Sequence, residues 1–220
     1  MNKFAFTLAE VLITLGIIGV IAAITLSSLI QNYQKQEVAS KLKKSYANLQ
    51  NALQASIAEN GDMTTWDFSS NLDHSGVESN YFFNKYIVPY YKNIKKSNQN
   101  YIIKSIDGVN SQHALNNITL TDGTLIAIGL KYQRYMWMYI DINADKGPNR
   151  LGKDIFMLSI YPKSNKLIFH SQGQTNAQLK SNYDGGGYQC AKGTNTTYAG
   201  AKCGAKIMLD GWKISDDYPW

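Results

Sequence analysis

The feature that most constrains this chain is a mostly apolar run near its start, from Phe6 to Ile30, in which Glu10 is the only charged side chain. A helix of that length can cross the hydrocarbon core of a bilayer. A secretory signal peptide has a shorter apolar core, of about 7–15 residues, followed by small residues at a cleavage site. Here the polar residues 31–34 follow directly, so the pattern predicts a retained anchor.

An amphipathic pattern continues the helix beyond the anchor. Apolar side chains recur at intervals of three and four residues and predict one buried stripe, formed by Val38, Leu42, Tyr46, Leu49, Leu53 and Ile57. Asn60-Gly61 is a helix stop signal. We therefore predict one helix from Phe6 to Ala58, about 80 Å long. Its first half would lie in lipid and its second half would pack against a head domain.

Glu10 is the residue that gives the anchor a specific character. A carboxylate inside an apolar span is costly unless it finds a partner. Glu10 therefore either reaches the lipid headgroups from near the helix start or has a function within the membrane.

The segment Phe6-Thr7-Leu8-Ala9-Glu10-Val11-Leu12, behind the short leader 1–5, resembles the type III signal of type IV pilins and type II secretion pseudopilins. The resemblance implies cleavage by prepilin peptidase after Ala5, N-methylation of Phe6, and pairing of Glu10 with the freed amino group of a neighbouring subunit. It also implies an assembly helix in the bacterial inner membrane at 6–30, its amphipathic continuation at 31–60, and a periplasmic head at 61–220.

The partners implied by this resemblance are other pilins or pseudopilins in a filament, the peptidase, the inner-membrane assembly platform and its ATPase. Two residues depart from the family pattern: Ala5 stands where glycine usually precedes the cut, and Ser27 where many members have proline. The lysines at 35, 41, 43 and 44 outnumber Lys3 on the other side of the anchor. The positive-inside rule alone would therefore place the head in the cytoplasm, whereas the cleavage motif implies the opposite.

The head domain is predicted to be α+β. Residues 77–96 favour a short helix broken at Pro89. Strands are predicted at 118–120 and 124–128 around a glycine turn, and at 137–142, 155–160 and 167–169. Strands that follow a long helix without alternating with further helices predict an antiparallel sheet packed on that helix.

A polar stretch between two predicted strands carries oxygen-bearing side chains at alternating positions, Asp141, Asn143 and Asp145, and ends at Asp154. Such oxygens suit Ca²⁺, although the glycine and glutamate positions of an EF-hand are not matched. Similar stretches occur in pseudopilin-like heads, and the resemblance implies calcium as a candidate cofactor. The alternative, which the pattern favours, is a loop in which Asp and Asn bind their own backbone.

Cys190 and Cys203 are the two cysteines of the chain. In an oxidising compartment their spacing predicts a disulfide, whose short loop would contribute about 3 kcal/mol in the chain-entropy model. Two thiols without an adjacent histidine fall short of a zinc site. Disulfide-bounded loops near the C-terminus are also common in type IV pilins.

The net charge of +6 comes from scattered lysines, which favours a solvated surface over a nucleic-acid interface. His74, His113 and His170 are widely separated and lie beside no nucleophile, so we predict a structural protein and no enzyme. Two alternatives remain. Exposed Tyr, Trp and Lys on the head would favour a tethered binder of carbohydrate, or of DNA in a competence pilus. A pocket that gathers His170 with carboxylates would favour a tethered periplasmic enzyme.

Overall fold

A computed structural model of the chain describes residues 7–68, 76–97, 101–114, 116–132 and 134–220. The chain divides into two compact units, the first ending at Glu37 and the second comprising Val38–Trp220. The first unit contains the apolar part of the N-terminal helix. The second contains the sheets, the shorter helices and a disulfide.

Helix α1 (Leu8–Asn60) contributes residues to both units. In the first unit every described side chain up to Gln34 is exposed. In the second unit the predicted stripe is confirmed, because the three leucines are buried and the other members are half-buried against the same core: Leu42, Leu49 and Leu53, with Val38, Tyr46 and Ile57. Burial of each leucine contributes about 1.5–3 kcal/mol. The helix ends at Asn60, two residues beyond the predicted Ala58 and at the predicted stop signal, and Gly61 follows with a positive φ of 79°.

In the part of the chain that the structure describes, eight strands and three short α-helices follow α1. The strands are β1 (Lys95–Ser97), β2 (Tyr101–Lys104), β3 (Asn110–Ala114), β4 (Asn117–Thr119), β5 (Leu125–Lys131), β6 (Met136–Asp141), β7 (Ile155–Tyr161) and β8 (Lys166–Phe169), and the helices are α2 (Val77–Tyr86), α3 (Asn176–Lys180) and α4 (Cys203–Leu209). Six strands form an antiparallel sheet in the order β1-β4-β5-β6-β7-β8, and β2 pairs with β3 in a separate hairpin. The α+β class is confirmed.

Both faces of the sheet are buried. Successive side chains of a strand point to opposite faces. In β6, Met138 packs in the core that contains the leucines of α1, while its neighbours Trp137 and Tyr139 pack in a second core on the other face. The second core also contains Ile103 of β2 and Ala201, which precedes α4. This double burial explains why the sequence of β5–β7 is almost continuously apolar.

Side chains satisfy the backbone at the outer edge of β8. The Gln50 amide on α1 donates to the carbonyl oxygen of Leu167 at 2.8 Å, and the backbone N–H of Phe169 donates to Gln172 Oε1 at 3.1 Å. The ring of Tyr46 stacks on Phe169 with centroids 4.7 Å apart. An open strand edge is a template for unwanted pairing, and these contacts occupy it.

Most of the predicted elements are confirmed, with shifts of a few residues at their ends. Helix α2 ends before Pro89, which lies in a 3₁₀ turn at Val88–Tyr90. No pattern in the sequence predicted β1, the β2–β3 hairpin, α3 or α4.

Candidate functional site

The N-terminal segment has a reciprocal cap at the start of α1. Thr7 donates its backbone N–H and its hydroxyl to Glu10 Oε2, both at 2.8 Å, and Thr7 Oγ1 accepts the Glu10 N–H at 3.3 Å. Such a capping box satisfies backbone donors that have no partner within the helix. The predicted processing residues Ala5 and Phe6 lie outside the described residues.

The apolar part of α1 is long and apolar enough to span a membrane, a criterion that a signal sequence near the N-terminus also meets. Three of its hydroxyl groups bind the helix backbone: Thr14 donates to the Val11 carbonyl and Thr25 to the Ile21 carbonyl, both at 2.9 Å, and Ser27 donates to the Ala23 carbonyl at 3.0 Å. In hydrocarbon a polar group must be satisfied internally, and these hydroxyls meet that requirement.

The loop between β6 and β7 is held by its two carboxylates. Asp141 Oδ1 accepts the N–H of Asn143 at 2.9 Å, and the Tyr101 hydroxyl donates to Asp141 Oδ2. Asp154 accepts the N–H groups of Asn149 at 2.8 Å and Arg150 at 2.7 Å. Burial raises the pKa of Asp141 to about 7; the nearby charge of Asp154 adds to the rise and the hydrogen bonds oppose it.

The loop offers oxygen ligands of the type that hard cations bind, because Asn143 Oδ1 and Asn149 Oδ1 are buried and have no hydrogen-bond partner. The backbone hydrogen bonds of Asp141 and Asp154 are nevertheless those of the alternative interpretation, a loop that binds itself. The side chain of Asp145 lies outside the described part of the structure. Among the described residues no cluster of three His, Cys, Asp or Glu could hold a metal. Calcium at this loop therefore stays a prediction.

The predicted disulfide between Cys190 and Cys203 is confirmed, and both cysteines are fully buried. The loop that it closes packs on the β6–β7 loop. A Cβ atom added at Gly152 would lie 2.7 Å from Cys203 Sγ, and one added at Gly200 would lie 2.5 Å from the Leu151 carbonyl oxygen. Only glycine allows so close an approach at these positions.

A carboxylate from the β2–β3 hairpin also holds the disulfide loop. Asp107 accepts three successive backbone N–H groups, from Gly193 at 2.9 Å and from Thr194 and Asn195 at 3.1 Å each. Hydrogen bonds to a charged acceptor are stronger than those between neutral groups. The disulfide loop is therefore joined covalently to α4 and by charge-assisted hydrogen bonds to the hairpin.

His170 lies among aromatic rings. Its Nδ1 is 3.3 Å from Ser159 Oγ, and its ring centroid is 4.6 Å from that of Tyr188. Burial lowers the pKa of His170 to about 4, so the imidazole is neutral at pH 7. Ser159 is fully buried, which leaves its hydroxyl without access to a substrate. His74 and the side chain of His113 lie outside the described part of the chain.

A groove of about 360 Å³ opens beside α1 in the second unit. One side consists of small and amide residues three and four positions apart on one helix face, Asn48, Asn51, Ala52 and Ala55. The other side is formed by Tyr90, Tyr91 and Lys92 and by the β4–β5 turn, with Leu120, Thr121 and Asp122. This groove was not predicted from the sequence. The spacing of the two asparagines places them on one helix face, but only the fold brings the tyrosines and the turn opposite them.

A protein-family model described as a family of unknown function, DUF6613, matches residues 28–220. The chain belongs to the DUF6613 family. Its match begins within α1, so it includes the head domain and leaves Thr7 and Glu10 outside. No match is found among curated proteins, and none among solved structures. DUF6613 membership therefore groups the head with its relatives without assigning an activity.

Proposed function

We propose that the chain is a structural subunit of a type IV pilus-like or type II secretion pseudopilus filament. In this proposal prepilin peptidase cleaves it after Ala5, and it assembles through α1. The observation that carries the proposal is the apolar part of α1, residues 8–30, which has no buried side chain and contains one carboxylate. Lipid would cover this surface before assembly, and the helices of other subunits would cover it afterwards.

The negative charge of Glu10 supports a role in assembly. Its carboxylate accepts hydrogen bonds from Thr7, yet no cationic side chain pairs with it in the described part of the chain. A carboxylate in an apolar environment is stabilised most by a cationic partner. A free amino group on the first mature residue of a neighbouring subunit would supply that partner.

Two glycines in the same segment favour contacts with another helix. A Cβ atom added at Gly16 or Gly19 would meet no atom within 4 Å, so packing within the chain does not require glycine there. Glycine weakens a helix by about 1 kcal/mol relative to alanine. Small residues in membrane helices allow backbones to approach closely, which would offset that cost in a helical bundle.

The proposal is tested by substituting Glu10→Gln in a host that has prepilin peptidase and the assembly machinery. A matched control is Glu37→Gln, which neutralises the next acidic residue along α1. We expect both variants to accumulate in the membrane and only Glu10→Gln to be lost from sheared filament fractions. Equal incorporation of both variants into filaments would show that assembly does not require the charge of Glu10.

A further inference from the structure

The groove beside α1 combines two kinds of surface that recur in sites for polar, ring-shaped ligands. Tyr90 and Tyr91 supply aromatic rings, and Asn48 and Asn51 supply amides that both donate and accept hydrogen bonds. Ala52 and Ala55 present only small side chains on the same side of the helix. A volume of about 360 Å³ is within the range of small-molecule sites.

Neighbouring contacts hold the rim of the groove in place. The Tyr90 hydroxyl donates to Glu59 Oε2 at 3.0 Å and accepts the Asn60 amide at 2.6 Å. At the other end, Asp122 Oδ2 accepts from the Lys44 ammonium at 2.8 Å. Groups fixed in this way need little ordering when a ligand binds, which reduces the entropic cost of binding.

One polar atom in this wall has no partner. The Tyr91 hydroxyl is buried and makes no hydrogen bond. Burial, with a further contribution from the charge of Asp122, raises the pKa of this hydroxyl above its ordinary value, so it keeps its proton. Because this oxygen has no access to solvent, it lies behind the surface of the groove, and the part of Tyr91 that a ligand can contact is its ring.

We propose that this groove binds a neutral oligosaccharide. A sugar ring has an apolar C–H face that packs on the tyrosine rings, whose π faces carry partial negative charge. Its hydroxyls can donate to and accept from the side-chain amides of Asn48 and Asn51. The two charged residues in the lining, Lys92 and Asp122, have opposite signs. The groove therefore favours neither a polyanion such as DNA nor a cationic peptide.

This inference does not rest on filament assembly, because all the groove residues belong to the second unit. It is tested with the full chain in micelles of a detergent without a sugar headgroup, since alkyl glycosides would compete. Isothermal titration calorimetry with chitotriose, cellotriose and maltotriose is the measurement. Because the groove is open, we expect at least one trisaccharide to bind with a Kd on the order of 0.1–1 mM.

Two variants and two controls make the test specific. Asn51→Ala removes a hydrogen-bonding group and should weaken binding about tenfold. Ala55→Phe fills the groove from an exposed helix position and should abolish binding. Ala47→Phe and Gln54→Ala alter exposed positions on the same helix outside the groove lining and should leave the Kd unchanged. Circular dichroism checks that each variant is folded.

Three results overturn the inference. One is the absence of binding by all three trisaccharides up to about 10 mM, a concentration well above the expected Kd. Another is binding that Ala55→Phe leaves intact. The third is self-association of the wild-type chain that Ala55→Phe abolishes while no sugar binds, which would make the groove a contact between copies.

Discussion

Removal of the Cys190–Cys203 bond should lower the free energy of unfolding of the head by a predictable amount. The two cysteines are 13 residues apart in sequence, and closing so short a loop in the unfolded chain contributes about 3 kcal/mol in the chain-entropy model. This is a large fraction of the 5–15 kcal/mol that is typical of a folded domain. The loop remains attached through Asp107, so we expect a weakened native state and no loss of folding.

The assay is urea unfolding of the full chain in micelles, followed by tryptophan fluorescence. Cys190→Ala, Cys203→Ala and the double variant are compared with the wild type. Each single change already breaks the cross-link. A loss that comes from the cross-link should therefore be nearly equal, about 3 kcal/mol, in all three variants.

Two results would refute this reasoning. Losses that add in the double variant would show that packing of the two buried side chains, and not the tether, carries the stability. A loss below about 1 kcal/mol in every variant would show that the unfolded chain gains little freedom when the bond is absent.

Three further predictions concern the head. His170 has a pKa of about 4 in the folded state, below its usual value of about 6.5. The stability that it contributes is therefore present above pH 6.5 and is lost as the pH falls through 4, a change of about 3 kcal/mol in the free energy of unfolding. Urea unfolding at several pH values should show this change in the wild type and a smaller one in His170→Gln. Replacing EDTA by CaCl2 should leave the Tm unchanged if hydrogen bonds alone hold the β6–β7 loop; a rise of several degrees that Asp154→Asn removes would place calcium there. Gly152→Ala should cost more stability than Gly123→Ala, because both positions have positive φ but only the added Cβ at Gly152 would meet another residue, Cys203; equal losses in chemical denaturation would assign the effect to backbone strain.

The elements that the sequence predicts well are those whose residues carry their own periodic signal. Helix α1 has an uninterrupted apolar run and then a stripe at helical spacing, and strands β5–β7 are long apolar segments between turn residues. The elements that were missed have no such signal. Strand β2 offers four residues, and the backbone of its last residue, Lys104, bonds to Asn149 and Leu151 of the distant β6–β7 loop. Helix α4 begins at Cys203, whose disulfide partner also comes from another segment.

The candidate sites follow the same division. The cysteine pair is local in sequence, and its disulfide, predicted from that spacing, is confirmed. The Glu10 pattern is local too, and its role in assembly stays a prediction. Asp141 and Asp154 were predicted as possible calcium ligands, and their hydrogen bonds to backbone N–H groups became visible only in the folded loop. The groove depends on Asn51 and Tyr91 meeting across a gap of 40 positions, which no local pattern indicates.

The central claim, that the chain is a processed filament subunit, is tested most directly by the intact mass of the protein purified from membranes of a host with prepilin peptidase. We predict a mass that lacks residues 1–5 and carries one added methyl group on Phe6, and the uncut mass when the peptidase gene is deleted. A chain that retains Met1 in the presence of the peptidase would contradict the account and make α1 an ordinary membrane anchor.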